Sequence, residues 1–343
     1  MAVSAELGPG SSGHYDIPMS LIQAYSRMVP MRQHTIHTPY MVGEVHCYST
    51  EINGELVLFD TGPATPEALV FLREQIDLSR LRYVFITHCH VDHYGLASVL
   101  AEQTSAEILL PRKDAIKIAR HGERFAHIER LIGDCGFDEA STRGFRRIVQ
   151  DVQIFPPFPD RYTIVEESEI PARLGISWLA CPGHSQSDLV YRIGDLAVTG
   201  DVLLRNIFQA PLLDVDLDTF SDRFRNYDAY CGSLLHLATL RDCRILPGHR
   251  EYVASIDETI LDYVRKMLER AGQVKKFAGS ASPRDIAGRL FAEAVSDAFF
   301  TYLKVSEIVF MRDFLAEPER LRKSLELIGL FDRVAELYAA VAD

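Results

Sequence analysis

Apolar and polar positions set two successive rhythms along the 343-residue chain. From about residue 45, short apolar runs of strand length alternate with segments of helical period. His46–Ile52 and Glu55–Phe59 flank Asn53-Gly54, a pair suited to the type I′ turn of a two-residue hairpin. Thr65–Gln75 has helical spacing with Pro66 at a first-turn position. Tyr83–Thr87 reads as a strand that runs straight into His88, Tyr94–Gln103 as a helix and Glu107–Leu110 as another strand. Residues 112–150 are charged, helix-prone and broken by glycines. They predict a helical insertion over about 112–155, closed by the stiff Phe155-Pro156-Pro157-Phe158-Pro159 segment. Strands resume at 162–165, 176–180, 189–193 and 196–199, with Trp178 expected in the core. A long helix over 218–240 and a short strand over 244–246 complete this part.

Beyond about residue 253 the strand rhythm stops. Ile256–Phe277 reads as an amphipathic helix. Ser282-Pro283 has the N-cap and N1 chemistry of a new helix, followed by Ile286, Leu290, Phe291 and Ala294 at helical spacing. Glu319–Ile328 predicts a further short helix stopped at Gly329. The expected organisation is an N-terminal tail and lead-in (1–30), an α/β domain (31–253) and an all-α extension (254–343).

Composition narrows the function classes. With 47% hydrophobic and 24% charged residues, most of the chain can bury a core, which excludes disorder for most of it. No apolar run reaches the ~18–20 residues of a membrane span, and the N-terminus lacks the pattern of a secretory signal. A cytoplasmic protein with no membrane partner is expected. The six cysteines are scattered and form no CxxC pair, as suits buried fillers in a reducing compartment. The net charge of −12 argues against nucleic acid as a partner, since phosphate backbones call for a positive surface.

The chemistry concentrates in His88-Cys89-His90-Val91-Asp92-His93, directly after an apolar strand. Three imidazoles and a carboxylate within six residues suit Zn²⁺, Fe or Mn without any thiolate. Pro182-Gly183-His184, Gly200-Asp201 and Pro247-Gly248-His249 each set one ligand-type residue just past a strand end. The glycines are expected to let the backbone turn sharply there.

Together with Asp60-Thr61-Gly62, this ordered set resembles the metallo-β-lactamase-fold hydrolase superfamily over about residues 40–250. The resemblance implies a four-layer αβ/βα sandwich with the site at one edge between two sheets. It implies one divalent ion held by His88, His90 and His184, and a second held by Asp92, His93 and His249. Asp201 would bridge the two, Asp60 would orient a ligand histidine, and Asp92 would double as a proton shuttle. Two such ions ~3.5–4 Å apart share a water and lower its pKa towards ~7, giving hydroxide without a protein nucleophile. Zinc is the expected metal, with iron or manganese also accommodated.

Glyoxalase-II-type thioesterases, lactonases, β-lactamases and RNA-cleaving members share these ligands. Ser185-Gln186-Ser187-Asp188 departs from the Pro-Gly form common after the third histidine in thioesterases. His90 speaks for hydrolysis, because di-iron redox members carry Glu there. The C-terminal extension is similar to that of glyoxalase-II-like proteins related to β-lactamase-like protein 2, where it resembles a small winged-helix module. Its near-neutral charge suits a structural or homodimerising role. Arg205 and Asn206 follow Asp201 closely and are expected to bind substrate at the mouth of the site. The expected function is cleavage of a small ester-like bond, a thioester of CoA or glutathione first and a lactone second. The alternative is a metal-dependent nuclease. β-Lactam hydrolysis and a non-catalytic metal-binding module rank behind both.

Overall fold

A computed structural model describes residues 30–277, 279, 281–291 and 297–342. The expected N-terminal tail and Ala294 lie outside the described residues. Two sheets face one another. The first has six strands in the order β1 (Arg32–Ile36), β2 (Val45–Ile52), β3 (Glu55–Phe59), β4 (Leu81–Phe85), β5 (Glu107–Leu110) and β6 (Thr163–Ile164). The β1–β2–β3 pairings are antiparallel and those of β3 to β6 parallel. The second has four strands, β7 (Ile176–Ala180), β8 (Leu189–Ile193), β9 (Leu196–Gly200) and β10 (Arg244–Pro247), in the order β10-β9-β8-β7.

Alternation along each strand decides which layer each side chain enters. In β3, Leu56 and Leu58 face the outer helices, whereas Val57 and Phe59 face the second sheet. Both faces of the strand are covered, so it reads as a continuous apolar run. Between the sheets, Phe59, Phe85 and Tyr191 form an aromatic trio with ring centroids 5.3–5.6 Å apart. The Tyr191 hydroxyl donates to Ile86 O at 2.6 Å, just before the first histidine. Helices α1 (Pro66–Gln75) and α2 (Ala97–Gln103) cover the outer face of the first sheet.

The second sheet is covered by a larger apolar layer. Helix α3 (Arg112–Ala119) sets Ile118 against the outer cluster of the first sheet, whereas the layer combines α4 (His121–Asp134), α5 (Glu139–Val149) and, beyond the one-turn α6 (Ile170–Arg173) that sets Ile170 against the core between the sheets, α7 (Asn226–Ala238) and the C-terminal helices α8 (Ile256–Lys275), α9 (Pro283–Leu290), α10 (Ala298–Ala316), α11 (Glu319–Leu327) and α12 (Ala335–Ala342). One continuous core links Ile132 and Phe145 of the insertion, Val190 and Ala197 of the sheet, Tyr227 of α7 and Phe310 and Phe314 of α10. This is the expected αβ/βα four-layer sandwich carrying additional helices.

Several expectations need correction. β1 carries no strong apolar pattern, and the hydrophobic rhythm does not announce it. Its outer residues Arg32 and Gln33 are exposed or partly so, as an edge strand allows. Helix α2 begins at Ala97, because residues 91–96 form turns around the site. The helix expected over 218–240 starts only at Asn226. Before it, Asp216 accepts from the backbone N–H groups of Asp218 and Thr219, and Val215 bridges Arg223, so local side-chain bonding outcompetes the helix. Trp178 is not core: it sits on edge strand β7 and is 37% exposed. No paired strand follows Pro247 among the described residues, so the wing of a winged-helix module has no counterpart there. No described helix is long and apolar enough to cross a membrane.

Candidate metal centre

The seven expected ligand residues meet in one place, although they span positions 88 to 249. Each leaves a strand at its C-terminal end: His88, His90, Asp92 and His93 after β4, His184 after β7, Asp201 directly after β9 and His249 after β10. Three groups form, His88–His90–His184, Asp92–His93–His249 and, joining these two triads, His88–His93–Asp201, each with ligand atoms within 4.8 Å of one another. In the first, His90 Nδ1 lies 2.9 Å from both His88 Nε2 and His184 Nε2. In the second, His249 Nε2 lies 3.3 Å from Asp92 Oδ2.

Asp201 stands between them. Its Oδ1 is 3.3 Å from His93 Nε2 and 3.5 Å from His249 Nε2, and its Oδ2 is 3.6 Å from His184 Nε2. His93 Nε2, His249 Nε2 and Asp201 Oδ1 are buried and have no hydrogen-bond partner. Orphaned buried polar atoms are costly and demand an explanation. Three aimed at one spot, all of metal-ligand type, fit a divalent cation.

The opposite ring edges are tied down. His184 Nδ1 donates to Ala210 O at 2.9 Å and His249 Nδ1 to Glu44 O at 2.6 Å. His93 Nδ1 donates to Asp60 Oδ2 at 2.8 Å. The Thr87 hydroxyl donates to the same oxygen at 2.8 Å and accepts from His88 Nδ1 at 3.1 Å. Asp60 Oδ1 takes the Thr87 N–H at 2.8 Å. One buried carboxylate therefore orients an imidazole in each triad, and four rings are left with Nε2 facing inward.

Electrostatics separate the triads. Burial, reinforced by neighbouring rings, pushes the pKa values of His88 and His90 well below the ordinary histidine value. Burial lowers His184 too, against the pull of Asp201. At His93 burial opposes protonation, yet Asp201, Asp60 and Asp92 outweigh it and hold the pKa well above normal. His249 is likewise raised, with Asp201 overcoming the effect of burial. The first triad is a neutral imidazole trio and the second an acid–imidazole cluster.

Glycines matter here for closeness more than for turning. Gly200 adopts φ +49°, and a Cβ there would stand 2.7 Å from Thr87 Oγ1. Gly248 has ordinary φ, but its Cβ would lie 2.6 Å from Asp201 Oδ1 and 2.7 Å from His93 Cε1. Sharp turning, expected at all three Gly-ligand pairs, is confined to Gly200.

A family model described as the metallo-beta-lactamase superfamily matches residues 41–249, the span that carries every one of these groups. The chain belongs to the metallo-beta-lactamase superfamily. A probable metallo-hydrolase, YqjP of Bacillus subtilis (strain 168), is 27% identical over 257 residues, covering 70% of this chain and 78% of that protein. Ribonuclease Z of Synechococcus sp. (strain WH7803) is 44% identical over 73 residues, only 20% of this chain and 22% of that one. Among solved structures, the superfamily protein TTHA1429 of Thermus thermophilus aligns with TM-score 0.64 at 20% identity, covering 82% of this chain and 93% of the other. A beta-lactamase domain protein from Burkholderia ambifaria aligns with TM-score 0.63 at 17% identity, over 83% and 85%. These two likenesses show the superfamily fold.

Arg205 reaches the segment after His249, donating to Tyr252 O at 3.3 Å and pairing with Glu251 at 3.2 Å. Asn206 is exposed in a left-handed conformation, φ +60°. The Cys89 side chain packs against the first sheet's outer cluster. Supporting groups outside the ligand set include Thr87, Thr61, Tyr40 and His46. The Thr61 hydroxyl donates to His93 O at 2.9 Å and accepts the Leu96 N–H at 3.0 Å. Burial, with the nearby Asp92 charge, raises the Tyr40 phenol pKa. His46 Nε2 donates to Arg250 O at 2.8 Å, and its backbone N–H to Gly248 O at 2.7 Å, so β2 stitches the His249 loop to the first sheet.

Proposed function

We propose that this superfamily hydrolase works with two divalent ions, zinc foremost, on a small ester-like bond. The first ion is assigned to His88 Nε2, His90 Nδ1 and His184 Nε2, the second to Asp92, His93 Nε2 and His249 Nε2, with Asp201 shared. The observation that carries this is the convergence of His93 Nε2, His249 Nε2 and Asp201 Oδ1, buried and without hydrogen-bond partners, beside the His88–His90–His184 trio. When bound, such a pair supplies Lewis acidity that makes water nucleophilic near neutral pH and polarises a carbonyl.

The chain's own residues do the rest. Asp60 and Thr87 fix ring orientations, so no reorganisation is needed at the moment of reaction. Asp92, buried beside His249, would accept a proton from attacking water and return it to the leaving group. Residues 31–253 are read as the catalytic unit and 254–343 as a helical extension that walls and supports it. A thioester of CoA or glutathione ranks first and a lactone second, as a resemblance to the glyoxalase-II-like branch would imply. The protein is read as cytoplasmic, and a homodimer through the extension remains a proposal.

The ribonuclease Z similarity favours a second reading, phosphodiester hydrolysis of RNA or DNA. The net charge of −12 weighs against it. Parallel assays of acyl-CoA, acyl-glutathione, homoserine lactone, a chromogenic β-lactam and single-stranded RNA separate the readings. Turnover of an ester-like substrate supports the first, and RNA cleavage without ester turnover overturns it.

A further inference from the structure

Next to the first triad lies a buried charge pair for which the reaction above has no use. Asp114 and Lys117 sit one turn apart on α3, 0% and 6% exposed. Lys117 Nζ donates to Asp114 Oδ1 at 2.8 Å and to Ser187 Oγ at 3.0 Å. Asp114 Oδ2 accepts the backbone N–H of Cys89 at 2.9 Å. Cys89 is the residue between His88 and His90. Ser187 belongs to the turn that follows His184.

That turn is itself stiff. Ser185 Oγ and Ser187 Oγ share a hydrogen bond of 2.7 Å, and the Ser187 N–H donates to Ser185 Oγ at 3.0 Å. Asp188 Oδ2 accepts the Ser185 N–H at 2.7 Å. Gln186 accepts the Leu217 N–H and donates to Val215 O, anchoring the turn to the neighbouring loop. Moving Ser187 therefore moves His184 with it.

We propose that Asp114, Lys117 and Ser187 form a brace that sets the distance between the His88–His90 loop and the His184 loop, and so tunes the affinity of the first ion selectively. A stability role alone does not require charge here. Burying an ion pair is costly, and apolar replacements of similar volume are often neutral or stabilising. What an ion pair with a fixed third partner supplies is geometry. The two loops come from different sheets, and α3 bonds to both, beside the direct bond from the Leu189 N–H to Thr87 O at 3.0 Å. No hydrogen bond among the described residues joins Asp92, His93 or His249 directly to Asp114, Lys117 or Ser187; the second triad meets the braced loop only beyond the anchored Cys89 N–H, where the His93 N–H donates to His90 O at 2.9 Å.

The brace rests on the dinuclear reading, and the test keeps the two apart. Metal-free protein is titrated calorimetrically with Zn²⁺ as wild type, Lys117→Met and Ser187→Ala, with melting followed by circular dichroism. His184→Ala and His249→Ala identify which binding phase belongs to which triad. Wild type should take up two Zn²⁺. Lys117→Met and Ser187→Ala should weaken the phase lost in His184→Ala by about 10–100-fold, the usual cost of losing an outer-sphere partner. The phase lost in His249→Ala should stay within about twofold of wild type. If Lys117→Met leaves Asp114 uncompensated and does not fold, Asp114→Asn/Lys117→Met removes both charges and keeps an acceptor for the Cys89 N–H. The same selective weakening is expected of it. Unchanged affinities, or equal weakening of both phases, overturn the brace. A wild type that binds no Zn²⁺ overturns the dinuclear reading and the brace with it.

Discussion

Asp201 carries the heaviest burden of any single side chain, because its two oxygens face different triads. Asp201→Ala should abolish most turnover and release at least one ion per chain, read by elemental analysis beside a steady-state assay. Asp60 touches neither set of inward-facing nitrogens directly, yet it orients rings in both. Asp60→Ala should weaken metal binding by about 10–100-fold in a chelator competition. Gly248→Ala would push a methyl against Asp201 and His93, so the same competition should show a loss although the substituted residue offers no ligand atom. The ligands were legible in sequence because the chemistry forces rare residue types together: four ligand-type residues within six positions, and three more each placed after a strand. Thr87, Asp114 and Lys117 were not legible. A threonine beside a histidine, or a lysine three residues after an aspartate, is ordinary on any surface, and only tertiary packing brings them to the site.

The same contrast holds for elements. The β2–β3 hairpin was readable from Asn53-Gly54, and both residues take positive φ, 52° and 81°. Gly54→Ala meets no steric obstacle beyond its own backbone. It should cost about 1 kcal/mol, seen as a lower urea midpoint with an unchanged slope. The Ser282-Pro283 start was equally readable, and Asp285 completes its capping box. The signals that failed were those that depend on a neighbour. Trp178 has an apolar sequence context, but β7 is an edge strand and its outer face meets solvent. The loop before α7 has helical composition, but Asp216 captures the backbone N–H groups that a helix would use.

Across the molecule, the extension proves inseparable from the site's support. The Tyr302 hydroxyl donates to Leu213 O at 2.6 Å, and Ser306 Oγ accepts the Leu213 N–H at 3.0 Å. The Tyr263 hydroxyl donates to Gln209 O at 3.3 Å. These bonds hold the loop whose Ala210 O fixes the His184 ring. A chain ending at residue 253 would expose the apolar layer that Phe310, Phe314 and Leu321 now cover, and it should be recovered only as aggregate, as size-exclusion chromatography would show. Periodicity announced these helices but could not say what they cover, since an apolar helix face does not name its partner. Metal content per purified, folded chain, measured before and after chelation, tests the dinuclear reading most directly. Two equivalents of divalent metal, with activity lost on chelation and restored by Zn²⁺, are the expected result. A chain that melts cooperatively, hydrolyses its substrate and holds no metal, with His184→Ala and Asp201→Ala as active as wild type, would contradict it.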